Sequence, residues 1–472
     1  MPHVRPDGAV EPPPPPPHVA PHRPPPAATR KGWLWIGGAA SLALPWLVLR
    51  FTTDYHHLHP VPMAFFSGLG ILGAAFLLSW AAEAFQMDVS QALALALLSL
   101  IAVMPEYAVD IVFAWRAATD PTQAPYAVAN MTGANRLLIG LGWSAVVLLA
   151  WWRTRRRLAG RPIGRADEPG QVVGDAVILH KSQSLELTAL GAATLYSFFI
   201  PLKGGIGLLD TVVLVSLFAV YAWGTARAPA EEPELVGPAA AIGSLPALLR
   251  RLTTYALFIY SGLVIFVSAE PFAEGLVKTG AALGIDEFLL VQWLAPLASE
   301  SPEFLVALLF AWNGLAGAGL RTLVASKVNQ WTLLIGTLGL AYSVAKGSVA
   351  DLPLDARQTE ELFLTSAQSL FALVLIANFD LNVREALVLL VTFLFQLLVP
   401  LFVPIFVPGE PALHHAIDMQ VRLGVGVLYL LASVWLLATS RTRRATLLRL
   451  PSMVRETVGI GAPAGTPARQ PA

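Results

Sequence analysis

A proline followed by a glutamate interrupts a long apolar segment twice in this chain. The first copy is LSLIAVMPEYAVDIVFAW, with Pro105 and Glu106, and the second is WLAPLASESPEFLVALLFAW, with Pro302 and Glu303. Apolar stretches of this length suit a bilayer. A carboxylate in the middle of one is costly, and intramembrane acids are functional by default. Each copy is followed by an apolar segment carrying amides, Asn130 and Asn135 after the first and Asn329 and Gln330 after the second. Helix breakers with acids, one in each half of a membrane chain, point to an ion site built by an internal repeat.

The composition agrees with a polytopic membrane protein. Hydrophobic residues make up 55% of the chain and charged residues 13%, where soluble domains carry about 25% charged. The formal net charge is zero, which gives no bulk attraction to nucleic acid. The absence of cysteine excludes disulfides, thiolate metal sites and thiol catalysis. Residues 1–30, with the run Pro12–Pro17, cannot bury a core and are expected to form a disordered spacer. The basic tail 441–472 is expected to be disordered as well. The first apolar stretch is long enough to span rather than to be cleaved.

Hydropathy predicts an all-α integral membrane protein with about twelve transmembrane helices: 33–51, 63–85, 91–117, 125–152, 186–202, 206–226, 254–278, 287–312, 318–345, 361–379, 385–404 and 420–439. Arg30, Lys31, Arg153, Arg155, Arg156, Arg157, Arg227, Arg250, Arg251, Arg441, Arg443 and Arg444 then fall on one side. The excess of Lys and Arg in cytoplasmic loops makes that side cytoplasmic. Both termini are therefore expected in the cytoplasm, with the chain in the cytoplasmic membrane. Residues 63–226 and 254–404 form two five-helix repeats, inverted relative to each other. One extra helix lies in 31–62 and another in 405–440, and 227–253 is a cytoplasmic linker. The two repeats share an ordered series: the Pro-Glu helix, an Ala-Trp pair (Ala114-Trp115; Ala311-Trp312), then LLIG (Leu137–Gly140; Leu333–Gly336).

Proline in a helix removes an amide donor and clashes with the carbonyl four residues back. Pro105 is expected to free the carbonyl of Ile101, and Pro302 that of Ala298, leaving half-helices with Glu106 and Glu303 at their N-terminal ends. Ca²⁺ takes six to eight oxygens, carboxylates and backbone carbonyls among them, so these two glutamates are the central candidate metal ligands. Asp110 and Glu300 share their helix faces. Ser299, Ser301, Ser326, Asn130, Asn135, Asn329 and Gln330 offer neutral oxygens. The plainer readings are a structural kink for the Pro-Glu pairs, a fixed ion pair for the extra acids, and helix–helix hydrogen bonds for the amides. Arg136 and Lys327 sit too deep to snorkel easily and must face acids. They are either fixed ion-pair partners or charge-balancing groups that stand in for a transported cation.

These motifs resemble the sodium/calcium exchanger superfamily, the cation/Ca²⁺ exchangers. Its two alpha repeats carry Gly-Thr-Ser-Leu-Pro-Glu-Leu, then Gly-Asn-Val-x-Gly-Ser-Asn on the next helix. The chain keeps Pro105-Glu106 but has Ala102 and Val103 where the family has hydroxyls. It keeps Ser299 and Pro302-Glu303, with Glu300 replacing a serine. Asn130, Gly133 and Asn135 match the second motif, and the stretch Ser326–Asn329 departs from it. The resemblance implies two inverted five-helix repeats, a midplane site and antiport of Na⁺, Ca²⁺ or H⁺.

The expected function is secondary antiport of a metal cation, Ca²⁺ or Na⁺, for H⁺ or Na⁺ by alternating access. A monovalent Na⁺(K⁺)/H⁺ antiporter is the first alternative, and a membrane-embedded hydrolase or a non-transporting scaffold comes behind it. The chain has no HExxH, GxSxG or GxxxxGK[ST] motif, which disfavours an enzyme or an ATP-driven pump. No cofactor is expected beyond the transported cations. The partners are inorganic cations and the lipid bilayer. No histidine of the nine falls inside a predicted span.

Overall fold

The computed structural model describes residues 30–89, 104–158, 172–173, 175–228, 235–407 and 409–458. The chain opens with α1 (Arg30–Leu42) and α2 (Leu44–Thr52), which together make one crossing. The first repeat runs through α3 (Pro60–Phe85), α4 (Met104–Ala117) and α5 (Ala124–Leu137). A π-helical turn, Leu138–Trp143, leads into α6 (Ser144–Leu158). The strands β1 (Val172–Val173) and β2 (Ala176–Ile178) follow, then α7 (Ser184–Ser197), α8 (Phe199–Lys203), β3 (Gly205–Ile206) and α9 (Leu208–Arg227).

A short helix, α10 (Gly237–Gly243), lies in the linker. The second repeat comprises α11 (Ala247–Leu283), α12 (Glu287–Asn313) and α13 (Ala316–Asn329). A second π-helical turn, Gln330–Leu334, leads into α14 (Ile335–Lys346), then β4 (Leu352–Pro353), α15 (Ala356–Ile376), β5 (Asp380–Asn382) and α16 (Val383–Phe406). The chain then continues through α17 (Pro411–Thr439) and α18 (Arg441–Val458).

Local sequence explains the boundaries. Asp286 caps α12 by accepting from the Phe288 amide at 2.9 Å. Asp355 and Gln358 form a capping box at α15, and Asn382 and Glu385 another at α16. These caps satisfy amide donors that a helix start leaves open. Gly314 ends α12 with φ 90°, a left-handed backbone that suits glycine.

Among the described residues, ten helices are long and apolar enough to cross a membrane. The other two expected spans are 91–117 and 318–345. Residues 91–103 of the span 91–117 lie outside the described residues, and so does Ile101 with its carbonyl. The span 318–345 is present as the continuous helical run α13–α14, in which Arg321, Lys327, Asn329 and Gln330 lower the apolarity.

The small strands reveal the symmetry. β2 pairs with β5, and β3 pairs with β4, both antiparallel. β2 lies between the third and fourth crossings of the first repeat, and β5 between the fourth and fifth of the second. β3 and β4 have the reciprocal arrangement. Parallel repeats would hold such loops at opposite faces, about 30 Å apart. Only inversion brings each pair to the same face, so the backbone pairing itself requires inverted repeats.

Three expectations change. α12 is helical from Glu287 to Asn313 straight through Pro296 and Pro302, so Pro302 does not divide it into half-helices. The local irregularity sits instead in the following helix, where both repeats carry a π-turn. Such turns cluster at functional sites. Residues 441–458 are helical rather than disordered, because Leu447, Leu450, Met453 and Val454 pack against the core and Arg443 pairs with Glu385, while Arg441, Arg444, Arg449 and Arg455 are exposed. Residues 1–29 and 459–472 lie outside the described residues. Finally, α17 begins at Pro411 rather than near 420, which takes His414 and His415 into its first two turns.

Candidate cation site

The site lies where α4 and α5 of the first repeat meet α12 and α13 of the second. Gly133 allows the approach of α5 to α12: a Cβ there would stand 1.8 Å from the Gln292 carbonyl oxygen. Glu106 is 1% exposed, Asp110 and Glu300 are fully buried, and Glu303 is 8% exposed. The carboxyl of Glu300 stands between those of Glu106 and Glu303 and interacts with both. Three of the four acids singled out from sequence are thus contiguous, and they join the two repeats. Asp110 lies one turn along α4 and interacts with Glu106.

Three of the four acids have a neutral partner from the next helix. Asn130 Nδ2 donates to Asp110 Oδ1 at 2.8 Å. Ser326 Oγ donates to Glu303 Oε2, and Gln330 Nε2 donates to Glu300 Oε1. Ser299 faces Glu106 while its hydroxyl bonds back to the Ala295 carbonyl at 3.1 Å. Asn329 is buried at the end of α13. Ser301 turns away and bonds the Leu297 carbonyl.

At this site five buried oxygens have no hydrogen-bond partner among the described residues: Glu106 Oε2, Asp110 Oδ2, Asn130 Oδ1, Glu300 Oε2 and Gln330 Oε1. Buried acceptors are almost always satisfied, so orphan oxygens from both repeats fit a hard cation as the missing partner. Among the described residues, no three acidic or imidazole side chains converge closely enough to hold a metal in this arrangement. The acids engage one another and the amides instead.

The two buried bases part company. Lys327 is fully buried, and its Nζ donates to Asn135 Oδ1 at 2.6 Å and lies 4.2 Å from the centre of the Trp331 ring. It also interacts with Glu300. Asn135 is therefore a bridge to the lysine, with its own Nδ2 donating to the Met131 carbonyl at 2.8 Å. Arg136 does not join the four acids. Its guanidinium pairs with Glu361 at 2.5 Å, donates to Gln396 Oε1 at 3.1 Å and stacks on Trp293 at 4.9 Å. The side chain one residue after Asn135 points off that helix face, toward α15 and α16.

That second network is absent from the sequence expectations. Glu360 and Glu361 open an apolar helix and Arg422 interrupts another. Charges inside apolar spans were the signal available, but nothing in spacing alone says that they meet.

A family model described as sodium/calcium exchanger protein matches residues 59–226 and 253–402. The crystal structure of the H⁺/Ca²⁺ exchanger CAX is 40% identical, with a TM-score of 0.78, and the match covers 91% of this chain and 99% of that one. The native structure of YfkE is 14% identical with a TM-score of 0.54, covering 78% of this chain and 98% of that one; at this identity it shares the fold. No curated protein matches. The match to the family model over both repeats, together with the inverted architecture and the paired Pro-Glu helices, makes this chain a multi-pass membrane protein of the sodium/calcium exchanger family.

Proposed function

We infer that the protein exchanges Ca²⁺ for H⁺ across the cytoplasmic membrane, with both termini in the cytoplasm. The observation that carries this reading is the buried acid group shared by the two repeats, in a chain 40% identical over 91% of its length to an H⁺/Ca²⁺ exchanger. Glu106 and Glu303 are the central ligands. Asp110 adds a carboxylate, and Asn130 and Ser299 add neutral oxygens. Glu300 holds a proton between its two neighbours, because carboxylates this close cannot all be charged without a compensating cation.

The formal charge then closes on a divalent ion. Glu106, Glu303 and Asp110 contribute three negative charges and Lys327 one positive, −3 + 1 = −2. One Ca²⁺ or two protons neutralise that remainder, so their exchange moves no net charge. Arg136 is balanced by Glu361 and stands outside this sum. Alternating access moves the site between the two faces as one repeat unit rocks against the other.

The test uses purified full-length protein in liposomes, with internal pH followed while Ca²⁺, Na⁺ and K⁺ are added one at a time. Ca²⁺ alone is expected to drive proton movement, insensitive to a potential imposed with K⁺ and valinomycin. Proton movement with Na⁺ or K⁺ but not Ca²⁺ would establish the monovalent alternative. Orientation is tested by single cysteines in this cysteine-free chain: Ala445→Cys is expected to be protected from external reagent and Ser348→Cys to be labelled.

A further inference from the structure

The network around Arg136 is a buried, self-neutral charge cluster built partly from a helix outside the repeats. Arg422 of α17 lies 2.9 Å from Glu360 and 3.9 Å from Glu361, both on α15. Glu361 in turn pairs with Arg136. Gln396 links Arg136 to Tyr429 of α17, donating to its hydroxyl at 3.0 Å, and Tyr429 donates to Thr392 at 2.7 Å. Arg136 is 2% exposed, Glu361 2%, and Arg422 5%. Arg136, Arg422, Glu360 and Glu361 sum to zero among themselves, and Asp418, half-buried one turn before Arg422 on α17, is a further acid facing it that every variant below leaves unchanged.

Arg136 follows Asn135 directly, and Asn135 holds Lys327. The Arg136 and Lys327 charges repel each other. Glu361 therefore cancels a positive charge that would otherwise add to Lys327 at the edge of the cation site. We propose that Glu361 and Arg422 are positioning residues that set the cation affinity of the site by fixing the net charge around Arg136. In this way α17, which belongs to neither repeat, becomes part of the electrostatics of exchange. The proposal rests on the cation-exchange reading above, and its test separates the two.

The net charge of the cluster can be moved in both directions. Glu361→Gln leaves +1, Arg422→Gln leaves −1, and the double substitution returns to zero. In an incompletely screened interior, one uncompensated charge is expected to shift divalent-cation binding by about tenfold. Ca²⁺ uptake into liposomes is measured against Ca²⁺ concentration for the full-length protein and its variants. Glu361→Gln is expected to raise KM about tenfold and Arg422→Gln to lower it, with kcat changing less than KM. The double variant is expected to return KM close to the unmodified value. A double variant as impaired as Glu361→Gln would show that the bonds matter and the charge does not, which overturns the proposal. Unchanged KM in all three variants also overturns it. If Glu361→Gln does not fold, the sign of the Arg422→Gln shift decides alone: an increase or no change sinks the idea. Absence of Ca²⁺ uptake by the unmodified protein defeats the exchange reading instead.

Discussion

The two repeats share a backbone plan but divide the chemistry unequally. In the first, Glu106 and Asp110 lie on one helix, and Asn130 from the next helix donates to Asp110. In the second, Glu300 precedes Glu303, and both receive donors from the next helix, Gln330 and Ser326. The buried bases diverge further. Arg136 of the first repeat leaves the site for Glu361, whereas Lys327 of the second enters it and reaches across to Asn135 of the first. Symmetry of fold therefore does not impose symmetry of charge. Duplication supplies two equivalent helix pairs, and substitution at non-equivalent positions then gives one of them the resident cation.

The largest expected effect tests what remains equal. Glu106→Gln and Glu303→Gln each keep the side-chain shape and remove a charge and a titratable proton. Each is expected to reduce Ca²⁺-driven proton flux roughly a hundredfold or more, because breaking a buried charge arrangement costs ~3–5 kcal/mol. Flux assays in liposomes with matched protein content check this. Retained transport in one variant alone would mean that the repeats do not contribute equally even at the Pro-Glu pair.

Next comes the contrast between the bases. Lys327→Ala leaves −3 at the site, so exchange is expected to become sensitive to an imposed potential or to require an additional monovalent cation. Arg136→Ala leaves the Lys327 charge in place, so exchange is expected to stay insensitive to potential; it strands Glu361 in a buried environment, again at ~3–5 kcal/mol of stability, and the −1 it leaves is expected to lower KM as Arg422→Gln does. Voltage-clamped liposome flux and thermal unfolding separate the two. Equal voltage dependence in the unmodified protein and in Lys327→Ala would make the lysine a structural partner like the arginine.

A smaller effect is expected at the neutral donors. Asn130→Ala and Ser326→Ala each remove a hydrogen bond to a carboxylate, worth ~1.5–3 kcal/mol. Each is expected to change the KM for Ca²⁺ by about tenfold, with the fold retained. A change in only one of them would show which acid carries the affinity.

The smallest effect lies away from the site. The Arg250 and Arg251 guanidiniums hold the Asp88 carboxyl below its usual range, bridging the end of α3 to the start of α11 at 2.7 Å and 2.9 Å. A depressed carboxyl pKa adds stability above the unfolded value and loses it as pH falls through the folded one. Asp88→Asn is therefore expected to lower the unfolding temperature slightly at pH 7, and the difference is expected to shrink below about pH 4. A constant difference across that range would show that the contact acts through packing.

Much of this protein was decided by sequence alone. Apolar runs of bilayer length set the all-α membrane class, because backbone groups in lipid must be satisfied within a helix or a closed barrel. The repeated Pro-Glu, Ala-Trp and LLIG series marked the two units, and the parity of the crossings between them implied inversion. Acids inside apolar helices named Glu106, Asp110, Glu300 and Glu303, because such groups are too costly to keep there without use. Tertiary structure decided the pairings. Asn135 and Arg136 are neighbours in sequence, yet a helix turns successive side chains about 100° apart, so one meets Lys327 and the other Glu361 on a distant helix. Pro302 did not end its helix, since surrounding helices satisfy what a proline leaves open in a packed bundle. The basic segment after Arg441 became a helix because the core offered a surface for its apolar face. Spacing along the chain fixes which face of a helix a residue occupies, but only the packed arrangement of the helices sets which other face it meets.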